Sequence, residues 1–320
     1  MQCRICNNEA DNLKYEARES MFGSRDVFDY FQCSKCGCLQ IAEFPSDLSK
    51  YYGDDYYSYR AKQKQNKARR LLIRMRNHYA VFNRGILGKF IYDKNPATPS
   101  ARALRSLYFL RPTREMHILE VGCGSGILLQ SLCDLGFRNL LGADPFIDKD
   151  IEYGNGLTIR KLYIEEIQGK WDVVMFHHSF EHVPNPRETL QSAGRLLNSG
   201  GYCMIRIPTV SSYAWKHYGV DWIQLDAPRH FFLHSCESMG ILAGETGLEL
   251  VDMVYDSTDF QFWGSEQLKR GMSLMDERSY GKNPGNSVFS GEEIAGFARR
   301  AEEMNAAGQG DQAVFYLRKP

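Results

Sequence analysis

Residues 117–126 read HILEVGCGSG, and residues 127–137 continue ILLQSLCDLGF. The first five residues predict a buried strand, since so short an apolar run bounded by glycine cannot make a helix. The glycines form a tight turn, and Leu128, Leu132 and Leu135 mark one face of the helix that should follow. Strand, glycine turn and helix in this order open a doubly wound α/β sheet of the nucleotide-binding kind.

The glycine spacing narrows the ligand. Gly122, Gly124 and Gly126 follow G-x-G-x-G around Cys123, and Ile127 stands where a dinucleotide turn has its third glycine. Gly122 and Gly124 allow the backbone to approach a ligand that a Cβ would repel. Glu120, two residues before the first glycine, would repel a pyrophosphate but suits a cationic aminoacyl group. Asp144 ends a second strand (NLLGAD, residues 139–144), where its carboxylate can accept hydrogen bonds from both hydroxyls of a ribose.

A different signal opens the chain. Cys3 and Cys6 form one C-x2-C pair and Cys33 and Cys36 a second, 26 residues later. Two residues between cysteines let both thiolates of a turn face one ion, and four sulfurs complete the closed tetrahedral shell of structural zinc. Gly37 suits the turn after the second pair, and Cys38 stands outside the set. A zinc-binding module over residues 1–45 has too small a core to fold without metal.

The totals fit a cytoplasmic protein of one large and one small domain. The 320 residues carry 39 Lys plus Arg against 39 Asp plus Glu, a balance that disfavours a nucleic-acid partner for the whole chain. No apolar run suggests a transmembrane segment and no secretory signal is visible, so the nine cysteines read as thiols or metal ligands. Residues 46–97 read as a linker, tyrosine-rich and then basic, with Tyr56 and Tyr57 as candidate substrate contacts. Ten bases and no acid fall in residues 56–92, where Leu71, Leu72, Met75, Tyr79, Phe82 and Ile86 predict an amphipathic helix. That cationic face could pack on the main domain, grip substrate phosphates, or meet a membrane surface or RNA.

With these motifs in hand, ILEVGCGSG resembles the first motif of class I S-adenosylmethionine-dependent methyltransferases, and LLGADP resembles their second. WDVVMFHHSFEHVPNP is similar to the fourth strand and following helix start, and RLLNSGGYCMIRIP to the fifth strand. The cysteine pairs and tyrosine-rich linker resemble, more narrowly, members with an N-terminal zinc-binding domain, several of which methylate nucleotide-linked sugars. The resemblance implies a Rossmann-like methyltransferase domain over residues 98–320, beside a small zinc-ribbon-like domain. Its seven-stranded, mostly parallel sheet would have strands near residues 117–121, 139–144, 157–161, 172–177, 202–208, 248–255 and 313–319, with a helical insertion at 257–311. It also implies a small-molecule acceptor, with a sugar or nucleotide-sugar foremost, and places His177 against the cofactor.

HSFEH (residues 178–182) matches the metalloprotease pattern H-x-x-E-H, but His177 and His178 follow a strand, so the two histidines should not share a helix face. His182 is either a loop anchor or a wall of the substrate pocket. In the zinc-domain sugar C-methyltransferases a histidine after strand five pairs with a preceding glutamate and an upstream tyrosine. His230 matches that histidine, whereas Arg229 replaces the glutamate and Ala227 the tyrosine, so oxygen or nitrogen stands beside carbon as the methylated atom. The resulting expectation makes His230 the base, with His182 second, Asp226 an orienter and Arg229 a clamp on substrate phosphate or carboxylate. Ser235 reads as the cap of the next helix. The competing functions are an RNA methyltransferase gripping through the zinc module and basic helix, and a scaffold that binds without chemistry.

Overall fold

The computed structural model describes residues 1–52, 66–94 and 99–320. Tyr56, Tyr57 and the boundary expected near residue 97 lie outside them. Three strands open the chain: β1 (Leu13–Arg18), β2 (Val27–Gln32) and β3 (Leu39–Ile41), paired antiparallel in succession. Helices α1 (Lys67–Phe82), α2 (Ile86–Lys94) and α3 (Pro99–Ser106) lead into the central sheet.

That sheet contains β4 (Ile118–Val121), β5 (Leu140–Ala143), β6 (Ile151–Glu152), β7 (Thr158–Arg160), β8 (Trp171–His177) and β9 (Leu197–Pro208). After β10 (Phe232–Leu233) it gains β11 (Glu249–Tyr255) and β12 (Gln312–Arg318). The order is β11-β12-β9-β8-β4-β5-β7-β6. Strands β7, β5, β4, β8 and β9 are parallel neighbours, while β12 runs antiparallel to both β9 and β11. All seven expected strands are present in a Rossmann-like methyltransferase fold, and the two-residue β6 adds an eighth at the edge, antiparallel to β7. Strand order reverses between β4 and β8, which puts the switch point, where such sheets bind ligands, between Glu120 and His177.

Helices α4 (Ile127–Asp134), α5 (Pro186–Leu196), α6 (Tyr213–Tyr218) and α7 (Cys236–Glu245) follow their strands, and α8 (Phe260–Lys269) and α9 (Gly291–Ala306) lie between β11 and β12. Two sequence expectations are corrected. On α4 Leu132 is buried as expected, but in the first turn the buried leucine is Leu129 and not Leu128. The single amphipathic helix is two, broken at Asn83 and Gly85, both with positive φ. Its buried face is Asn77, Ala80 and Val81, whereas Leu71, Leu72 and Ile86 are exposed.

The N-terminal module is welded to the sheet. Strand β3 pairs antiparallel with β10, so one sheet runs β1-β2-β3-β10 and takes its last strand from the large domain. Cys3, Ile5, Tyr30 and Leu39 share a hydrophobic core with Val174, Phe176 and Ile205 of β8 and β9. Shared burial couples the stabilities of the two parts. Leu39→Ala should therefore cost about 2–5 kcal/mol, with the unfolding transitions seen by far-ultraviolet dichroism and by Trp215 fluorescence falling together. Separate transitions would show the module melting alone.

Candidate active site

Strand β4 is buried along its length, and its Glu120 is 4% exposed at the carboxyl end. Asp144, just beyond β5, accepts hydrogen bonds from the Gly124 amide at 2.8 Å and the Phe146 amide at 2.9 Å. The two strand ends thus hold the glycine turn between two carboxylates, and one lone pair remains on each oxygen of Asp144 for a ribose. Gly122 and Gly126 have φ of +71° and +68°, and a Cβ on them would come within 2.4 Å of Ser179 Cβ and 2.5 Å of Ile159 Cδ1. At these two positions the missing Cβ makes room for protein, a reason for Gly122 that the sequence reading did not give. Cys123 packs its sulfur over Gly142, which leaves its backbone as the part able to meet a cofactor.

Burial, and then the nearby Asp144, push the Glu120 carboxyl up to about 8. Its Oε2 has no hydrogen-bond partner among the described residues, and neither ring nitrogen of His177 has one. His177 Nδ1 stands 3.8 Å from Glu120 Oε1, and burial followed by the Arg206 charge holds this imidazole well below its ordinary range. Buried polar atoms are nearly always paired in a finished core, so a cluster of orphans at the switch point marks a place for a polar ligand.

A second cluster lies after β8. Glu181 is fully buried, and both its oxygens lack a hydrogen-bond partner among the described residues. Three imidazoles surround it. His178 Nδ1 is 3.5 Å and His230 Nε2 3.8 Å from Glu181 Oε1, and ligand atoms of Glu181, His182 and His230 all lie within 4.8 Å of one another. Burial alone would raise the Glu181 carboxyl, but His178, His182 and His230 together pull it down to about 2. His182 Nδ1 lies 2.8 Å from the Arg229 carbonyl and His230 Nδ1 2.8 Å from the Gln224 carbonyl. A carbonyl only accepts, so in the neutral rings each Nδ1 carries the proton and each Nε2 keeps the lone pair.

The predicted residues are placed as follows. Glu120, the glycine turn, Asp144 and His177 meet at the switch point, and His182, His230 and Asp226 meet in the second cluster, where Asp226 Oδ2 is 3.8 Å from His230 Nε2. Arg229 is corrected: its side chain has no exposure and its guanidinium is spent on Glu19, Asp226 and the Tyr51 carbonyl, so it faces no substrate. Sequence reasoning missed Glu181. It lies inside the rejected H-x-x-E-H match, and only the fold brings it to His230. Ser235 does cap α7, accepting from the Ser238 amide. A cavity of about 530 Å³ lies elsewhere, beneath α3 against β11 and β12, lined by Arg102, Tyr108 and Tyr316 among others and by neither cluster.

The four N-terminal sulfurs also converge. Cys3 Sγ is 3.6 Å from Cys36 Sγ and Cys6 Sγ is 3.5 Å from Cys33 Sγ, with all four within 4.8 Å. A zinc–sulfur distance of about 2.3 Å gives a tetrahedral edge of about 3.8 Å, close to these separations. The amides of Ile5 and Cys36 and the side chain of Gln40 point N–H groups at the sulfurs, as thiolate ligands require. This set could hold a metal.

Comparison with known proteins bears on the domain rather than on single residues. Residues 96–253 match the family model described as a methyltransferase domain, and the chain carries a class I S-adenosylmethionine-dependent domain there. A ubiquinone biosynthesis O-methyltransferase of Nitrosomonas europaea is 33% identical over 131 residues, which is 36% of this chain and 54% of that protein. Its namesake from Pseudomonas aeruginosa is 28% identical over 157 residues, 43% of this chain and 66% of that protein. The chain thus spans little more than half to two thirds of the lengths of these two curated relatives. A solved methyltransferase from Archaeoglobus fulgidus overlays with a TM-score of 0.43 at 18% identity, covering 72% of this chain and 99% of that one, and nothing rests on so loose a fit.

The raised Glu120 carboxyl has a consequence for stability. With its pKa near 8 in the folded protein and ordinary when unfolded, the native state binds the extra proton, so ligand-free stability falls as pH rises from about 4.5 to 8. Glu120→Gln should flatten that fall in thermal melts and weaken cofactor binding about ten- to hundredfold by calorimetry. An unchanged pH slope with unchanged affinity would remove Glu120 from the site.

Proposed function

We propose that this chain transfers a methyl group from S-adenosylmethionine to a hydroxyl of a small-molecule acceptor, whose proton is taken by His230. The observation that carries the reading is the pairing of two buried clusters at the carboxyl ends of β4, β5 and β8, one with orphaned polar atoms for a cofactor and one with free imidazole lone pairs. S-adenosylmethionine, when bound, supplies a methyl on a sulfonium whose thioether leaving group needs no acid.

The residues supply everything else. Glu120 would hold the cofactor's ammonium and Asp144 its ribose hydroxyls, while the glycine turn fits the main chain against it. His230 Nε2 offers a lone pair because the Gln224 carbonyl fixes the proton on Nδ1. As it accepts the proton, the ring becomes a cation facing Glu181 and Asp226, both 3.8 Å away, whose carboxylates stabilise it. His182 sits against it with ring centres 4.8 Å apart and is the second candidate. Burial lowers the pKa of His182, so that ring stays neutral and able to accept. The hydroxyl acceptor is supported by relatives whose names specify O-methylation. A sugar or nucleotide-sugar as the molecule bearing it rests on the resemblance of the cysteine pairs and tyrosine-rich linker to methyltransferases with an N-terminal zinc-binding domain.

The four N-terminal cysteines are read as a structural zinc site, since a full sulfur shell leaves no position for substrate. All nine cysteines are free, which suits a reducing, cytoplasmic setting. No helix among the described residues is long and apolar enough to cross a membrane.

Release of S-adenosylhomocysteine with a panel of sugar, nucleotide-sugar and phenolic acceptors tests the activity. With the acceptor that responds, His230→Ala should lower turnover about 100- to 10,000-fold and leave cofactor affinity unchanged. Full turnover in that variant would remove the base assignment. Elemental analysis should find one zinc per chain, and Cys33→Ser should lose it together with several degrees of melting temperature. A protein that melts identically with and without metal would contradict the zinc reading.

A further inference from the structure

We propose that Glu19, a residue of the N-terminal module, positions the histidine cluster from outside the methyltransferase domain by way of Arg229 and Asp226. The proposal rests on His230 as the proton acceptor and names what keeps that ring in place.

Glu19 is 2% exposed and lies just past β1. Its Oε1 accepts from the amides of Met21 and Phe22, both at 2.9 Å, and its Oε2 from those of Gly23 at 2.8 Å and Ser24 at 3.1 Å. Four backbone donors lock the carboxylate to its own turn, so it is a fixed post rather than a mobile acid. Both terminal nitrogens of Arg229 reach Glu19 Oε1 at 3.3 Å, and Nη1 also donates to the Tyr51 carbonyl at 3.0 Å. On its other edge Arg229 grips Asp226 with two nitrogens, Nε donating to Oδ2 at 2.9 Å and Nη2 to Oδ1.

Asp226 is where this chain of charges meets the site. Its φ is +41°, in the left-handed region that a non-glycine residue occupies only when held there. The fork of Arg229 holds its carboxylate while the Arg229 and His230 amides donate to its carbonyl, with Asp226 Oδ2 3.8 Å from His230 Nε2. A guanidinium with no exposure needs its charge answered, and removing Glu19 takes away one of the two carboxylates that meet it among the described residues. The loop from Asp226 to His230 is then free to rearrange around the unmet charge.

The same module secures His230 at its backbone. Tyr30, on β2, donates its hydroxyl to the His230 carbonyl at 2.8 Å, and the Ile41 amide donates to the Phe231 carbonyl at 3.0 Å. The charged and titratable groups facing His230 are thus Glu181, His182, Asp226, Arg229 and Tyr30, and Glu19 stands behind Arg229. Two anchors on one module, 200 and 210 residues away along the chain, converge on one five-residue loop. A site holds its lone pairs in working geometry only when a supporting layer fixes them.

The test needs no acceptor. The full chain, zinc-loaded and labelled with nitrogen-15 histidine, is studied near neutral imidazole conditions at about pH 8, with His230 assigned through His230→Gln. In the unaltered protein the two His230 ring nitrogens should give well-separated shifts, Nδ1 protonated and Nε2 bare. Glu19→Gln should draw the two shifts together as the ring samples both tautomers, and Tyr30→Phe should do so to a smaller extent, while the distant ring of His117 stays put. The double variant Glu19→Gln, Arg229→Gln should recover part of the separation, since it removes the unmet charge with its partner. A folded Glu19→Gln protein that keeps the original His230 shifts would overturn the proposal, whatever Tyr30→Phe does. If Glu19→Gln does not fold, Glu19→Asp, which keeps the charge but shortens its reach to Arg229, decides in its place: unmoved His230 shifts in it would overturn the proposal. Turnover that survives His230→Ala would sink the base reading instead, without moving these shifts.

Discussion

Arg229 carries a full positive charge with no exposed surface, and the architecture is arranged around satisfying it. A buried ion left without partners costs several kcal/mol, so the fold is stable only when carboxylates from two directions close on it. Asp226 comes from the same loop and Glu19 from the far end of the chain. That demand, with the β3–β10 pairing and the common core, packs the N-terminal module against the loop that carries His230.

The two candidate clusters show opposite ways of handling a buried carboxylate. Burial, and then the like charge of Asp144, push the proton affinity of Glu120 up, to about 8. Glu181 is ringed by imidazoles, which pull its affinity down to about 2 despite complete burial. The first is a group waiting for a cation to arrive, and the second is an anion already in place to support one formed on a neighbouring ring. Both leave oxygens without hydrogen bonds among the described residues. Stability is given up at both positions, as expected where a protein must meet a ligand or move a proton.

Glycine has a packing role in the turn beyond the one its pattern suggests. At Gly122 and Gly126 the missing Cβ admits Ser179 and Ile159, so the turn is shaped by packing against β7 and the segment after β8. The cofactor turn is therefore stiff before any ligand arrives. Asp144 adds to that stiffness by holding the Gly124 amide.

How much of this was legible in the sequence follows from the range of each interaction. The parallel sheet, the glycine turn, the roles open to Glu120 and Asp144 and the four-cysteine set could all be read from spacing, because each depends on neighbours a few residues apart or on a repeated ligand pair. The break between α1 and α2 was missed because left-handed residues at Asn83 and Gly85 overrode a continuous apolar rhythm. Arg229 was misread as a substrate clamp because nothing nearby in sequence announces Glu19, 210 residues away. Glu181 was hidden in a motif borrowed from unrelated chemistry. By itself the sequence determined which residues could bind a nucleoside cofactor and a metal. Tertiary structure alone decided which buried charges face one another, because desolvation and pairing are set by packing distance and not by position along the chain.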